Sequence, residues 1–413
     1  MEYDKLSKFF YTSGNKNHLL EYERRLNSYS SYKTNLSIKP FRKGNFINQD
    51  ETLFFVNIDK LFKLYEEVLT NSCTIQLAVN KLPAFAVDPY FHKLIINEAQ
   101  SNNEIEGVRS TKEELSNVLE HINDSKSAAN KRFVGLMKTY NYIDKLKPFE
   151  TIEDFRKLYD ALVADEIPKH KQPDGTYFRA KSVTITDGAT ITHRGVEPES
   201  KINEKLNELI HFLNYSPIPD LYKYMIAHYY YEYIHPFYDG NGRTGRLLVC
   251  SYVSRKLERY SAITLSYAIN NAKPKYYQAL ENISDWLNKG DLTFYLIDML
   301  ELLSSGQKAI IDDLQFGLEK SKRITNYIDN LEWINDNLLH NVLHILLDIT
   351  VFTGKNKLSN ADLMKVLNVT SHKINKVMTE LEEREIVYLI KKRPKTYAIT
   401  DSFIEGIFKQ DIS

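Results

Sequence analysis

The sequence predicts a mainly α protein with one β-hairpin in its middle and a small helix-and-hairpin domain at its end. Three observations carry that expectation. Apolar and aromatic residues recur at helical spacing through most of the chain. The stretch 177–192 alternates instead, with Val183, Ile185 and Ile191 separated by polar residues around Asp187 and Gly188, a hairpin turn signal. Beyond position 337, short helical segments give way to two alternating runs on either side of a basic tip.

The 413 residues allow two or three domains, and 43% hydrophobic with 26% charged residues exclude a largely disordered chain. Equal totals of 54 basic and 54 acidic residues argue against wholesale coating of nucleic acid or anionic lipid, while leaving room for a local basic patch. Two cysteines, Cys73 and Cys250, make no disulfide framework and fit a reducing compartment. The apolar run 296–303 is broken by Asp298 and Glu301, and Met1-Glu2-Tyr3-Asp4 lacks the basic start of a signal peptide. The expectation is a soluble cytoplasmic protein with no membrane partner.

Residues 1–54 are polar and poorly periodic, with Tyr-Ser-Ser-Tyr at 29–32, and read as an irregular N-terminal arm. A helical region over 55–125 contains helices at 58–69 and 91–105, with Gly107 as the stop and Ser110 with Glu113 as the capping box of the next helix. The core, 126–305, has helices at 128–145, 152–165 and 202–213, a helix at 221–233 apolar on almost every side, and another at 244–257. A polar helical linker over 306–336 leads to a last domain over 337–413. That domain has a helix at 340–352, a short helix capped by Ser359 or Asn360, a third at 374–384, and strands flanking Lys391-Lys392-Arg393-Pro394-Lys395.

The segment richest in chemistry is His235-Pro236-Phe237-Tyr238-Asp239-Gly240-Asn241-Gly242-Arg243-Thr244-Gly245-Arg246. It joins two buried helices, so the second presents unpaired N–H groups and a positive dipole end at its start. Gly240 and Gly242 let the backbone curl around an oxyanion. Arg243 and Arg246 lie three apart, on one side of the first turn, and two guanidiniums suit a polyphosphate. Asp239 can hold Mg²⁺ jointly with substrate oxygens, and His235 can accept a proton near neutral pH. The set describes phosphoryl or nucleotidyl transfer. Gly240 to Gly245 also fits G-x-G-x-x-G, with Glu258 downstream, but it follows a helix rather than the strand of a βαβ unit, so a dinucleotide fold is rejected.

The twelve residues resemble the Fic signature His-x-Phe-x-Asp/Glu-Gly-Asn-Gly-Arg-x-x-Arg at every specified position. The resemblance implies a Fic-type helical core and transfer of AMP from Mg²⁺-bound ATP to a Ser, Thr or Tyr hydroxyl of a protein. It implies that His235 is the general base and Asp239 the metal ligand. Asn241 with the Gly240 and Gly242 amides would form the α-phosphate hole, with Arg243 facing the β-phosphate and Arg246 the γ-phosphate. Phe237 would pack inward. The hairpin, at Val183, Thr184 and Ile185, resembles the family's flap, which docks the target by strand addition. Tyr276, Tyr277 and Leu280 resemble the closing segment around the adenine, with Tyr277 as the chosen contact.

Upstream, Glu98, Asn102 and Glu106 are spaced by four, on one helix face. The run Asn102-Asn103-Glu104-Ile105-Glu106-Gly107 resembles the family's inhibitory helix, Ser/Thr-x-x-x-Glu-Gly/Asn, with Asn102 in place of the hydroxyl residue. By that resemblance Glu106 pairs with Arg246 and obstructs the γ-phosphate.

The last domain resembles a winged helix-turn-helix, in which Ser371, His372, Lys373, Asn375 and Lys376 would enter a DNA major groove beside the basic wing. Glu380, Glu382, Glu383 and Glu385 follow on the same helix and oppose a phosphate backbone, leaving DNA binding and protein docking both open. Expected partners are therefore ATP, a protein target (the chain itself included), DNA, and a second copy in a homodimer. The alternatives are a nucleotide-sensing DNA-binding regulator, or a Fic enzyme of other transfer or deAMPylation activity.

Overall fold

Tyrosine sets the character of the larger part of this fold. The chain has 28 of them, and many are buried to the hydroxyl, which then must find a partner. Tyr230 Oη donates to Glu208 at 2.7 Å, Tyr295 Oη to the Met225 carbonyl at 2.9 Å, and Tyr222 Oη to the Leu61 carbonyl at 3.2 Å. Apolar ring and polar tip together knit separate helices.

The computed structural model describes residues 3–42, 45–122, 132–163, 165–187 and 190–408. The chain divides into two units, Met1–Cys73 with Leu94–Lys308, and Thr74–Lys93 with Ala309–Ser413. Among the described residues no helix is long and apolar enough to cross a membrane.

The first unit opens with α1 (Leu6–Leu26), then β1 (Ser31–Ile38), the short pair β2 (Phe41–Arg42) and β3 (Asn45–Phe46), and β4 (Glu51–Val56), which runs antiparallel to β1. The expected irregular arm is therefore wrong. The reading failed because α1 has no apolar stripe and is fixed by polar anchors. Arg25 is 1% exposed, with Nε on Glu21 at 2.8 Å and Nη1 on Asp291 at 3.1 Å, and its guanidinium lies 4.0 Å over the Tyr3 ring. His18 Nε2 reaches the Leu287 carbonyl at 2.6 Å.

Next come α2 (Asp59–Val79), α3 (Ala84–Ile105), α4 (Lys112–Glu120), α5 (Val134–Asn141) and α6 (Ile152–Leu162). Gly107 follows α3 at φ +70, as expected of a helix stop. The α4 cap is Thr111, whose Oγ1 accepts from Glu114 N at 3.1 Å, one residue beyond the expected Ser110. Ser110 Oγ instead accepts from Asn103 Nδ2 at 3.2 Å. The expected helix over 128–145 is shorter, and its first residues lie outside the described ones.

The hairpin is β5 (Thr184–Asp187) with β6 (Thr190–Arg194), pairing Ile185 with His193 and Thr186 with Ile191. Gly188, half of its turn signal, lies outside the described residues. There follow α7 (Glu199–Tyr215), α8 (Asp220–Ile234), α9 (Asn241–Lys256), α10 (Arg259–Ala262), α11 (Leu265–Asn271), α12 (Lys273–Ser284) and α13 (Thr293–Asp329). Helices α8 and α9 are buried almost throughout and pack on each other at the centre of this unit.

The second unit contains the last turns of α13, then α14 (Asn337–Thr353), β7 (Leu358–Ser359), α15 (Asn360–Leu367), α16 (Ser371–Glu383), β8 (Val387–Lys392), β9 (Lys395–Ile399) and α17 (Asp401–Phe408). The sheet order is β7-β9-β8. Ser359 caps α15 in a full capping box with Asp362. Leu343, Leu346, Leu363, Ile374, Met378 and Leu381 share its core. The polar linker expected at 306–336 is corrected by the same core: Ile324 and Ile328, four apart on α13, are buried in it.

Removing the buried anchor of α1 should be costly, because Arg25→Ala leaves Asp291 buried without its cation. We expect a loss of about 3–5 kcal/mol in chemical unfolding, against a smaller loss for Arg25→Met combined with Asp291→Leu.

Candidate active site

Helix α8 ends in His235, whose backbone turns left-handed at φ 51 and ψ 62. Pro236 and Phe237 follow, Phe237 fully buried with its ring stacked on Tyr159 at 3.8 Å, as expected of a packing residue. Gly240 is left-handed at φ +80, and a β-carbon there would meet Val163 Cγ2 at 2.9 Å, so the curl into α9 requires glycine.

A cavity of about 300 Å³ opens at this curl. His235, Asp239, Gly240, Gly242, Arg246 and Glu106 all line it, as do Ile185 of the flap and Tyr277 of α12. Residues from Glu106 to Tyr277 thus meet at one hollow, and most of the expected site is brought together.

The expected pairing of Glu106 with Arg246 is present. Arg246, 1% exposed, donates from Nη2 to Glu106 Oε1 at 2.7 Å, and from Nε to Asn102 Oδ1 at 2.7 Å. Asn102 Nδ2 donates in turn to Tyr140 Oη at 2.9 Å. An amide therefore fills the place of the hydroxyl residue and binds the arginine directly. The Glu106 carboxylate sits where a β-carbon on Gly242 would be, inside the curl. One turn earlier than Asn102, buried Glu98 accepts from Ser266 N at 2.8 Å and Tyr267 N at 2.9 Å, capping α11.

Two expected phosphate contacts are placed otherwise. Arg243 does not line the cavity; it is buried with Nη1 on Glu166 Oε2 at 2.7 Å. The side chain of Asn241 turns back, donating to the Phe237 carbonyl at 2.7 Å and accepting from Phe237 N at 2.9 Å. It braces the loop and leaves only backbone to face an anion. Both residues sit at the start of a helix whose other faces are already core, so packing claims their side chains.

Asp239 accepts from Gly240 N at 2.8 Å through one oxygen and from Lys171 Nζ at 2.8 Å through the other. Among the described residues no group of three or more His, Cys, Asp or Glu could hold a metal by itself. One carboxylate at the cavity rim does suit Mg²⁺ shared with phosphate oxygens, provided Lys171 gives way.

The flap strand β5 exposes Thr184 and Ile185, and among the described residues it pairs with β6 alone. Val183 lies just before it, its carbonyl accepting from Gly195 N at 3.1 Å. Tyr277 is half-exposed, with Oη 3.4 Å from the Ile105 carbonyl.

Sequence reasoning missed several residues here. Burial drives His235 down to about 3, with His193 and Arg179 adding to it, and His193 down to about 4. Glu232 lines the cavity with Oε2 3.9 Å from His235 Nδ1, and burial raises it to about 8, Arg246 offsetting part of the rise and Glu106 adding to it. Only Glu232, three before His235 on α8, had a legible signal: a carboxylate in an otherwise aromatic run.

The model of the Fic/DOC family matches residues 148–253. The chain carries a Fic/DOC domain. Similar solved structures include a Fic family protein from Desulfovibrio desulfuricans G20, 17% identical, covering 87% of this chain and 99% of that one with a TM-score of 0.48. Fic-1 from C. elegans is 19% identical over 63% of this chain and 74% of that one, with a TM-score of 0.43. A Fic domain containing signaling protein from Bacteroides thetaiotaomicron VPI-5482 is 17% identical over 62% and 98%, with a TM-score of 0.40. The matched Fic/DOC segment holds α6 to α8, the flap and most of α9; Glu106 and Tyr277 lie outside it.

The neutral imidazoles give the domain a pH dependence. His193, His228 and His235 are held near 4, 3 and 3, so at these three groups the unfolded chain binds more protons than the folded one below about 6.5. Glu232, raised from 4.5 to about 8, acts in the opposite sense, as do Glu98, Glu166, Glu258 and Asp298, whose burial also raises them. Histidine NMR should find His193, His228 and His235 still neutral at pH 5, and the share of stability in urea that these imidazoles hold should fall as pH is lowered from about 6.5 toward 4.5.

Proposed function

We propose that the chain is a protein adenylyltransferase held inactive by its own Glu106. The observation that carries this reading is the Glu106 carboxylate lodged over Gly242 and paired with Arg246, in the same cavity as a neutral His235. A carboxylate in an anion cradle marks where a phosphate goes. Fic domains belong to a family known for transferring nucleotide-derived groups to proteins.

In this reading ATP lays its phosphates against the α9 N-terminus, at the amides of Gly240, Asn241 and Gly242. Its base lies toward Tyr277. Arg246 takes the γ-phosphate once Glu106 withdraws. Asp239 would hold Mg²⁺, which supplies neutralisation of the phosphate charge when bound. The target presents a Ser, Thr or Tyr hydroxyl with its backbone along Val183, Thr184 and Ile185. His235 takes the hydroxyl proton as the oxygen bonds to the α-phosphorus, the bond to the β-phosphate oxygen breaks, and pyrophosphate leaves. Its low proton affinity in the resting site keeps the ring unprotonated, and the negative charge of bound phosphates would raise that affinity for the transfer. The side chains of Arg243 and Asn241 support the site through Glu166 and the Phe237 backbone rather than touching the nucleotide. The chain itself, as a second copy in a dimer, is the simplest target.

Glu106→Gly should convert a silent protein into one that labels protein with α-labelled ATP and not with γ-labelled ATP. Adding His235→Ala should cut that labelling by about 10²–10⁴-fold. Label retained only from the γ position would reject adenylyl transfer, and release of AMP from a modified protein would favour the deAMPylation alternative.

A second reading concerns the last unit. Ser371, His372 and Lys373 at the start of α16 and Lys391, Lys392, Arg393 and Lys395 at the β8–β9 tip are all exposed, as a winged helix-turn-helix on duplex DNA would need. Asn375, expected in the groove, is instead bonded to Asn360 and Ser371, which takes it out of base reading. A gel shift with duplex DNA should weaken when Lys391, Lys392 and Arg393 become Ala, and an unshifted band at low salt would leave protein docking as the role.

A further inference from the structure

Arg179 stands at the root of the flap, 1% exposed, in a position no motif assigns. Its guanidinium donates from Nε to the His235 carbonyl at 2.8 Å and from Nη1 to the Lys181 carbonyl at 2.8 Å. Nη2 donates to the Val196 carbonyl at 2.6 Å and, at 3.4 Å, to that of Ile234. Its own N–H donates to the Pro236 carbonyl at 3.1 Å. None of these partners is a carboxylate. One side chain thus ties the chain entering the flap, the chain leaving it, and the C-terminal end of α8.

Two observations raise this above an ordinary helix cap. His235 is held in left-handed backbone, which costs free energy for a residue with a β-carbon and persists only where its surroundings over-determine it. Arg179 and the backbone bond from Val196 N to the Ile234 carbonyl at 3.0 Å supply that constraint on both sides of the strained residue. The space is also reserved: a β-carbon on Gly195 would collide with Arg179 Nη2 and lie 2.8 Å from Val183 Cγ1. The cation sits at the negative end of α8, where the dipole and the unpaired carbonyls favour it.

We propose that Arg179 is the positioning residue of His235, fixing the imidazole at the cavity and locking it to both roots of the flap, so that docked target and base share one frame. The proposal rests on the reading of His235 as general base. A lysine could not replace it, since one ammonium cannot span carbonyls on three chain segments as a planar fork does. The charged and titratable groups facing His235 are Arg179, His193 from β6 and Glu232 from α8. Of these Arg179 is a fixed cation that depresses the imidazole.

The test uses the full chain with Glu106→Gly, carrying Arg179→Lys or Arg179→Met, and ring-labelled histidine. For automodification from α-labelled ATP, both variants should lose about 10²-fold in kcat, the scale of a misplaced reacting group, with KM for ATP unchanged. Arg179→Met should shift the His235 ring resonance and move its titration up in part, burial and His193 still holding it below the ordinary histidine range, while Arg179→Lys leaves the titration low but shifts the resonance. A kcat loss no larger than the loss of folded protein, with the His235 resonance and titration unmoved, would overturn the proposal. Should Arg179→Met not fold, the kcat and ring resonance of Arg179→Lys decide by the same criteria. Should the Glu106→Gly parent itself transfer nothing, the adenylyltransferase reading fails, and the histidine spectra alone decide whether Arg179 positions the ring.

Discussion

A guanidinium taken out of water must be met by fixed acceptors, and Arg246 imposes that demand at the centre of the Fic/DOC domain. It is buried on α9, the helix whose N-terminus forms the anion cradle, and α3 meets it with an amide and a carboxylate. The α3 face that packs here is therefore polar where most helix contacts are apolar. Glu98, Asn102 and Glu106 each end on a donor: an α11 N-terminus, an arginine, and the same arginine again. The consequence is an exchange rule. Glu106 leaves Arg246 cheaply only if another anion arrives, because a bare buried cation is costly; in the proposed reading that anion is a phosphate.

Around that pair the loop is stiff before anything binds. Asn241 folds back onto Phe237, Thr244 Oγ1 onto the Gly240 carbonyl at 2.9 Å, and Phe237 is clamped between Tyr159 and Phe178. Arg179 does the same for the other end, where α8 turns into the loop. In the proposed reading, preorganisation of this kind would lower the entropic cost of bringing phosphate, base and target together. It also explains why Arg243 and Asn241 lie deeper than their motif positions suggest. A rigid curl needs side chains spent on holding it.

Much of this was legible along the chain, and for a physical reason. The curl, the helix start and the two arginines are neighbours in sequence, and local geometry dictates what they can do: glycine supplies left-handed backbone at Gly240, and the helix start supplies free N–H groups. The i, i+4 spacing of Glu98, Asn102 and Glu106 likewise fixes a shared face without any tertiary knowledge. The last unit was readable because its helices carry clean apolar stripes, Ile374 with Val377, Met378 and Leu381 being one. The N-terminal segment was not, since its anchors are Arg25 and His18, charges and rings with no periodicity to betray them. The 306–336 stretch reads as a polar linker because only a few apolar residues, Ile310, Leu314, Ile324 and Ile328 among them, bury one side of a helix that is otherwise polar.

The sequence by itself determined the helix–loop–helix with its curl and free helix start, its acid, base and glycine content, and the phase of the helix that opposes it, because each depends on residues within a turn or two. Only the tertiary structure decided which partners those side chains take: Glu166 for Arg243, Lys171 for Asp239, Phe237 for Asn241, and three separate segments for Arg179. A buried charge or amide binds whatever acceptor or donor the packing of distant segments brings within about 3 Å, and nothing in the local order of residues specifies that encounter.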